Sequence, residues 1–488
     1  MILSTKKTRG VVYTPVEIVR NILDLSGYRG ARILRKRVME NSCGDGAFLC
    51  EIVERYCREA IASGYSTARI KRDLERCVCG LEIDPDAMRR CVLKANAVAE
   101  RFGITDVAWN FVCCDALQTD RFDGQMDFVV GNPPYVRVHH FGETSDLVKR
   151  FSFAQEGMTD LYIAFYEIGL RMLAPGGVLG YIAPSSFFTS VAGAKMRECF
   201  VRDRLLSKVV DLKHFQAFED ATTYAAIVVL QNDLAVDGVD YFVYDAETMA
   251  PRFVERLNSN EYCVDGKFYF ANRRELAFLT DILTNIGKSG ASVKNGFATL
   301  CDTVFVADSF PFQSKRVIPV VKASKGVFQK IVFPYDARGV PISEEELKTD
   351  VELHRYLLAA KPRLLKRSVE KPQSASWFAY GRSQGIKDVY KDKLALNQLI
   401  RTRDDVKTVL ARSGVGVYGG LYATSASIPL ERIAAALHTE EFALYASLLG
   451  KYKSGGYFTF SSRDVEKYLD YQFPLVKRTA SQRTVPDV

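Results

Sequence analysis

The first half of the chain alternates short apolar runs with longer segments in which apolar residues recur every three or four positions. A run ending in VMEN leads into SCGDG, and the next segment, AFLCEIVERYCREAIASG, carries its apolar residues at helical spacing. The same succession recurs at CVCGLEID with PDAMRRCVLKANAVAERFG, and at MDFVVGN with LYIAFYEIGLRMLAPGG. Alternating strands and helices predict an α/β fold with a doubly wound, mostly parallel sheet.

Two later apolar runs, KVVDLKHF and YAAIVVLQN, follow each other without an intervening helix, so we predict an antiparallel edge there. NDLAVDG then reads as a linker, and beyond it short β-like stretches stand irregularly among helical runs. The 488 residues exceed what one hydrophobic core usually serves. We therefore predict an α/β domain over residues 1–235 and an α+β domain over residues 236–488.

Composition narrows the class of protein. The longest apolar runs, such as AAIVVL, are too short to span a bilayer, and MILSTKKTRG lacks the apolar stretch of a signal peptide. We expect a cytoplasmic protein that binds no membrane. The eleven cysteines are scattered through apolar segments or paired without nearby histidines, so we expect reduced core residues and no metal site.

Four polar motifs fall where successive strands of the first half end: ENSCGDGAF, LEID, CDAL and NPPY. Open α/β sheets bind ligands at the carboxyl ends of their strands. A glycine turn lets backbone amides approach a ligand closely, and an acidic residue such as Glu82 commonly binds ribose hydroxyls. Asp84 before Pro85 is typical of a helix cap instead. Asp115 can accept a hydrogen bond from an exocyclic amine.

This ordered set resembles the class I S-adenosylmethionine-dependent methyltransferases with their Rossmann-like sheet. It resembles specifically the gamma-class, TaqI-like adenine-N6 DNA methyltransferases of type II restriction-modification systems. The resemblance includes VYTPVEIV at residues 12–19 and FEDATTYAAIVV at residues 218–229. In the second half, WFAYGRSQG and SGGYFTFSS are similar to stretches of that group's target-recognition region.

The resemblance implies S-adenosylmethionine as the cofactor. Thr14 and Glu40 would contact its methionine end, with the glycine turn bringing backbone against it. Glu82 would hold the ribose, Ile83 would pack on the adenine ring, and Asp115 would bind the adenine amine. The positions implied to bind the cofactor are Thr14, Glu40, Cys43, Gly44, Gly46, Glu82, Ile83, Asp115 and Ala116.

The residues of the NPPY motif suit the chemistry of an adenine amine, whose nitrogen lone pair is delocalised into the ring. The Asn132 side-chain oxygen and the Pro133 carbonyl can accept both amine hydrogens. Pro133 and Pro134 fix φ and offer no competing N–H group. No strong general base is required, because the methylated nitrogen is very acidic.

An adenine N6 inside a duplex is reached only by flipping the base out of the stack. Tyr135 offers a flat face on which that base can stack. A second aromatic residue should close the other face, and motif position favours Phe218 over Tyr224. Each of these rings has a plain alternative, since aromatic residues in such loops are commonly packing residues.

A basic stretch in the second half points to DNA. Arg355 to Arg403 carries twelve lysine and arginine residues against three acidic residues, with aromatic residues interleaved. A solvated helical face is the plain alternative, whereas interleaved aromatic residues favour double-stranded DNA as the partner. The candidate DNA-binding residues are Arg363, Lys366, Arg367, Trp377, Tyr380, Arg382 and Gln384.

Other functions remain open at this point. Enzymes that methylate the glutamine of release factors, and RNA base amine methyltransferases, carry related motifs. A large trailing domain with a basic stretch favours DNA, and a non-catalytic subunit would be expected to lose Asn132 or Glu82. Few residues precede Tyr13 and we find no nuclease pattern, so we expect a stand-alone modification enzyme with a separate cognate restriction endonuclease.

Overall fold

The computed structural model describes residues 14–137, 146–218, 223–232, 235–367 and 376–474. It divides into two compact units, Met1–Ala277 and Phe278–Val488, each of which is described by itself. The predicted linker NDLAVDG lies partly outside the described residues.

The first unit is built on a nine-stranded sheet in the order β3-β2-β1-β4-β5-β7-β6-β8-β9. Neighbouring strands from β3 to β5 are parallel, as are β6 and β8, whereas β7 and β9 run antiparallel to their neighbours. The strands are β1 (Val38–Glu40), β2 (Val78–Glu82), β3 (Asn110–Cys113), β4 (Met126–Gly131), β5 (Leu173–Pro184), β6 (Leu206–Asp211), β7 (Ala225–Gln231), β8 (Val239–Asp245) and β9 (Ala250–Leu257).

Helices with one apolar face cover the sheet. Among the described residues of this unit they are α1 (Val16–Leu25), α2 (Ala47–Ala62), α3 (Thr67–Cys77), α4 (Pro85–Glu100), α5 (Leu161–Met172), α6 (Ala194–Arg202) and α7 (Ser259–Tyr262). A short hairpin of β10 (Cys263–Val264) and β11 (Lys267–Phe268) follows. Then α8 (Arg273–Thr284) crosses the division between the units. The Asp84 side chain accepts from the Asp86 amide, so it caps α4 as expected.

Two predictions about the sheet need correction. β7 is antiparallel to both neighbours, but it lies between β5 and β6 rather than at an edge. β8 then pairs in parallel with β6, and β9 pairs with β8, so the sheet continues past the predicted boundary at residue 235. The first unit therefore extends to Ala277, because its backbone hydrogen bonding does not stop at β7.

The second unit is α+β, as the sequence pattern predicts. Its sheets have the strand orders β12-β20-β16-β18, β13-β15-β14-β19 and β17-β22-β21. The strands are β12 (Ala291–Asn295), β13 (Val306–Ala307), β14 (Val317–Lys322), β15 (Val327–Val332), β16 (Lys393–Leu396), β17 (Leu399–Ile400), β18 (Thr408–Ala411), β19 (Gly416–Tyr418), β20 (Leu421–Ser425), β21 (Tyr452–Lys453) and β22 (Tyr457–Thr459). The described helices are α9 (Asp302–Phe305), α10 (Glu344–Lys348), α11 (Val351–Leu365), α12 (Leu430–Leu437), α13 (Glu440–Leu448) and α14 (Ser462–Gln472).

Candidate active site

The glycine turn between β1 and α2 begins with a buried acid. Glu40 ends β1 almost entirely out of solvent, and its Oε2 accepts a hydrogen bond from the Leu49 amide at 3.2 Å. Burial, with a smaller contribution from the Cys91 thiol, raises the pKa of Glu40 well above its ordinary value. The carboxyl group is therefore protonated over a wider pH range than a solvated glutamate.

Glu82 ties this turn to the end of β2. Its Oε2 accepts from the Gly44 amide at 2.8 Å, and its Oε1 accepts from the Asp84 amide at 2.9 Å. The buried Cys43 donates its amide to the Leu81 carbonyl at 2.8 Å, which holds the two strand ends together. Because a carboxylate has about four acceptor positions, the carboxylate retains capacity for further donors.

The CDAL motif, which follows β3, lies on the same side of the candidate site as Glu82. The Cys114 amide donates to the Glu82 carbonyl at 3.0 Å, which sets CDAL beside LEID. Asp115 Oδ1 accepts from the Leu117 amide at 2.9 Å, and Ala116 is buried beneath it. Ile83 is 64% exposed between these loops. The sequence-predicted cofactor residues of β1, β2 and β3 therefore lie on adjoining loops, with an apolar side chain open to a ligand.

The NPPY motif leaves β4 beside this turn. The Asn132 carbonyl accepts from the Ser42 hydroxyl at 3.4 Å, and Asn132 Nδ2 donates to Thr14 Oγ1 at 3.1 Å. The amide nitrogen is thus turned toward Thr14, which leaves Oδ1 on the other side of the group. Pro133 is buried and Pro134 half-buried. Within the described residues, no group donates to the Pro133 carbonyl oxygen.

Tyr135 and Phe218 meet edge to face. Their ring centroids are 5.8 Å apart with an interplanar angle of 72°, and Phe218 is 3% exposed. A base stacked between two rings needs about 7 Å, one van der Waals contact on each side. The structure therefore holds Phe218 against Tyr135, without room for a base between them. Tyr224, the alternative, contacts His214 at 5.9 Å.

Burial restrains the Tyr135 ring. Its hydroxyl donates to the Ile182 carbonyl at 3.1 Å, and burial raises its pKa well above the ordinary value. A tyrosine with a bonded, neutral hydroxyl keeps its ring in a fixed orientation.

Sequence reasoning missed two residues that support the turn. The Tyr181 hydroxyl of β5 donates to Asn41 Oδ1 at 2.9 Å, and both side chains are buried. Asn41 Nδ2 is buried and has no hydrogen-bond partner among the described residues. Asn41 could have been noticed as a polar residue ending a buried strand. Tyr181 carries no such signal, because it lies inside an apolar run.

Two predicted DNA-binding residues prove to be structural. Tyr380 is 3% exposed; its amide donates to the Tyr335 hydroxyl and its own hydroxyl donates to the Val332 carbonyl, both at 2.6 Å. The Arg367 guanidinium is directed inward, and burial lowers its pKa. It donates to the carbonyl oxygens of Leu364, Thr299 and Trp377. Neither side chain is available to DNA in this arrangement.

The remaining predicted DNA-binding residues are more accessible. Trp377 is half-buried, with Lys361 Nζ 4.8 Å from the centre of its ring. Exposed positions are Arg363, Lys366, Arg382 and Gln384. Arg363 donates to Thr303 Oγ1 at 2.6 Å, so it is partly restrained.

The described residues show neither a metal-binding cluster nor a membrane-spanning helix. That part of the chain brings together no group of three or more histidine, cysteine, aspartate or glutamate side chains able to hold a metal ion. It likewise contains no helix with the length and apolar character needed to cross a membrane.

Comparison with known proteins extends this picture. Residues 76–218 match the family described as Eco57I restriction-modification methylase. The type II methyltransferase M.BstVI of Geobacillus stearothermophilus is 29% identical over 283 residues, which cover 55% of this chain and 48% of that protein. M.PaeR7I of Pseudomonas aeruginosa, also a type II methyltransferase, is 26% identical over 413 residues, covering 76% of this chain and 70% of that protein.

A solved structure of the type IIL restriction-modification enzyme MmeI in complex with DNA matches the fold with a TM-score of 0.58 at 13% identity. The match covers 92% of this chain and 63% of that one. The chain spans about half the length of M.BstVI. These matches confirm the resemblance drawn from the motifs. The chain is therefore similar to type II methyltransferases of restriction-modification systems, and S-adenosylmethionine is the cofactor that this similarity implies.

Proposed function

We propose that the chain transfers a methyl group from S-adenosylmethionine to N6 of an adenine flipped out of duplex DNA. It would act as the modification enzyme of a restriction-modification system, in the cytoplasm, with a separate endonuclease as its cognate partner. One observation carries the proposal: Asn132 Nδ2 donates to Thr14 Oγ1, which turns Oδ1 away from Thr14, and no described group donates to the carbonyl of the following residue, Pro133. Two such acceptors suit the two hydrogens of an amine.

The cofactor residues fit the group that they would hold. Glu82 keeps acceptor capacity for the two ribose hydroxyls, and Ile83 offers an exposed apolar surface to a purine. The buried Asn41 Nδ2, which lacks a partner in the described part of the chain, would be satisfied by the polar end of the cofactor. When bound, S-adenosylmethionine supplies an electrophilic methyl group on a sulfonium.

The residues of NPPY would prepare the amine for attack. Hydrogen bonds to Asn132 Oδ1 and the Pro133 carbonyl draw both N6 hydrogens out of the ring plane and free the nitrogen lone pair. The lone pair would attack the methyl carbon that the cofactor supplies, with the cofactor sulfur leaving as a thioether, and the cationic nitrogen would lose one proton to water. Catalysis then consists mainly of positioning and of electrostatic complementarity.

The flipped base would stack on Tyr135. Because Phe218 touches Tyr135 edge-on, we propose that Phe218 rotates away and closes on the opposite face of the base. Stacking of this kind offsets part of the cost of unpairing, which is a few kcal/mol. The second unit would bind DNA through exposed residues such as Arg382 and Gln384, whose side chains suit guanine and adenine edges.

Asn132→Ala tests the proposal with labelled S-adenosylmethionine and duplex DNA. We expect wild type to label DNA and the variant to lose at least about 100-fold in kcat, as when one positioned hydrogen-bonding group is removed elsewhere. Cofactor affinity should stay near that of wild type. Asn260→Ala, at an exposed position, is the matched control. Absence of DNA labelling by wild type would refute the proposal, and equal loss of cofactor binding would make Asn132 structural.

A further inference from the structure

The hairpin of β14 and β15 in the second unit presents an unusual surface. Val327 is 43% exposed and Phe328 is 57% exposed, although both lie in a paired strand. Phe328 and Lys330 project from the same face, because side chains two apart on a strand do so. We define the hairpin surface as Lys325, Phe328, Lys330 and Lys407. An exposed aromatic residue among lysines is typical of a contact surface.

Lys407 joins this surface from the strand β18 side. Its Cβ lies 3.6 Å from the position that a Cβ would occupy on Gly326, in the turn of the hairpin. Lys325, Lys330 and Lys407 are exposed, and none of them forms an ion pair with any described residue. Three positive charges therefore remain without neutralisation around the exposed Phe328.

One acidic residue approaches the hairpin, on its other face. Asp308 accepts from Gln329 Nε2 at 3.1 Å, and Gln329 Oε1 accepts from the Tyr418 hydroxyl. Lys322 Nζ lies 5.6 Å from the centre of the Tyr418 ring on this same face. Because side chains alternate along a strand, Gln329 points away from the face that carries Phe328 and Lys330. Asp308 thus does not neutralise the hairpin surface.

The basic stretch from Arg355 to Arg403 differs from the hairpin surface, because several of its charged groups are paired or hydrogen-bonded within the fold. Lys391 pairs with Asp388 at 2.8 Å, and Arg367 is bound to three carbonyl oxygens. The buried Lys393 also donates to three carbonyl oxygens, those of Val389, Lys391 and Val415. Several charges that the sequence assigns to DNA are therefore used inside the fold.

We propose that the hairpin surface binds DNA, with its lysines on phosphates and Phe328 on apolar parts of the sugar or bases. The inference rests on the proposed function, which makes DNA the substrate. Lysine contacts to phosphates release counterions, so they make affinity depend on salt. An aromatic contact adds affinity without adding to that dependence, and it suits a thymine methyl group.

Lys325→Gln/Lys330→Gln tests the surface in the full chain. The slope of log affinity against log salt, measured by fluorescence anisotropy on duplex DNA, should decrease in magnitude by about two, one for each lost phosphate contact. Affinity should fall about tenfold or more at roughly 0.15 M salt. Lys267→Gln/Lys348→Gln removes two exposed lysines elsewhere and should keep the wild-type slope. Lys325→Arg/Lys330→Arg should restore it.

The outcomes separate the two proposals. If wild type methylates DNA and the glutamine variant keeps the wild-type slope, the hairpin surface is refuted and the proposed function stands. If wild type binds no DNA, both are refuted. Phe328→Ser should weaken binding at an unchanged slope, and wild-type affinity would remove Phe328 from the surface. Unchanged cofactor affinity in every variant shows that the fold is intact.

Discussion

At the scale of single residues, we predict that Glu40 couples cofactor binding to protonation. Its pKa is raised well above the ordinary value by burial, whereas a cationic cofactor bound beside it, as proposed, would favour the ionised form. Binding should therefore release a proton, and affinity should increase with pH until the raised pKa of the free protein is passed. Affinity increases with pH because, below that pKa, the free protein holds more protons than the complex with the cofactor.

Calorimetry in two buffers of different ionisation enthalpy measures this proton release. Glu40→Gln keeps the shape of the side chain and should make affinity independent of pH over the same range. Wild-type binding without proton release would show that Glu40 lies away from the charged end of the cofactor.

Thr14 offers a second test at this scale, because its predicted and observed partners differ. The sequence assigns it to the cofactor, whereas in the structure its hydroxyl accepts from Asn132 Nδ2. Thr14→Val removes the hydroxyl that accepts from Asn132 Nδ2, and the loss of this hydrogen bond costs about 1–3 kcal/mol. We expect kcat to fall on the order of 10- to 100-fold with KM for S-adenosylmethionine unchanged, and Thr14→Ser to retain activity. A raised cofactor KM with an unchanged kcat would favour direct cofactor contact.

The polar residues of the candidate site are easier to recognise in the sequence than their hydrogen-bond partners. Glu82, Asp115 and Asn132 are visible because each polar residue follows an apolar run. The bond of Tyr181 to Asn41 joins residues 140 positions apart, and no local pattern encodes such a contact. The inward direction of Arg367 is likewise set by packing rather than by composition.

At the scale of elements, Gly46 and Gly44 form a matched pair. Both have positive φ, 90° and 53°, but a Cβ on Gly46 would lie 2.7 Å from Cys91 Sγ of α4, whereas one on Gly44 would meet nothing within 4 Å. Gly46→Ala should displace α2 from α4, with a loss of stability of about 1–3 kcal/mol and weaker cofactor binding. Thermal unfolding and cofactor titration measure both effects.

Gly44→Ala should be the milder variant, because it bears only the cost of the left-handed conformation, about 1 kcal/mol. Equal destabilisation by the two substitutions would contradict the crowding seen between the glycine turn and α4.

At the scale of elements, the periodicity of apolar residues predicts those strands and helices of the first unit that bury enough apolar residues to show a pattern. The position of β7 between β5 and β6 cannot be predicted from periodicity. The sequence pattern predicts that β7 pairs antiparallel, but it does not indicate which strands are its neighbours. β9 buries only Leu257, and charged residues interrupt its apolar ones, so it carries little strand signal. α3 buries only Ile70, Leu74 and Cys77, so its sequence offers few apolar positions from which a helix can be predicted.

At the scale of the whole molecule, the chain combines a unit built on a nine-stranded, mostly parallel sheet with an α+β unit. The sequence predicts two domains, but places their division before β8 and β9 instead of after them. The fold of the second unit could not be derived, since its short strands pair across long separations in three small sheets. Because the fold of the second unit could not be derived from the sequence, its net charge does not indicate which of its surfaces is basic.

The central claim concerns the identity of the methylated group. Duplex DNA incubated with the purified chain and isotope-labelled S-adenosylmethionine is digested to nucleosides and analysed by mass spectrometry. The account predicts label in N6-methyldeoxyadenosine. Label in N4-methyldeoxycytidine would contradict the assignment of adenine, and label confined to RNA or to a protein glutamine would contradict DNA as the substrate.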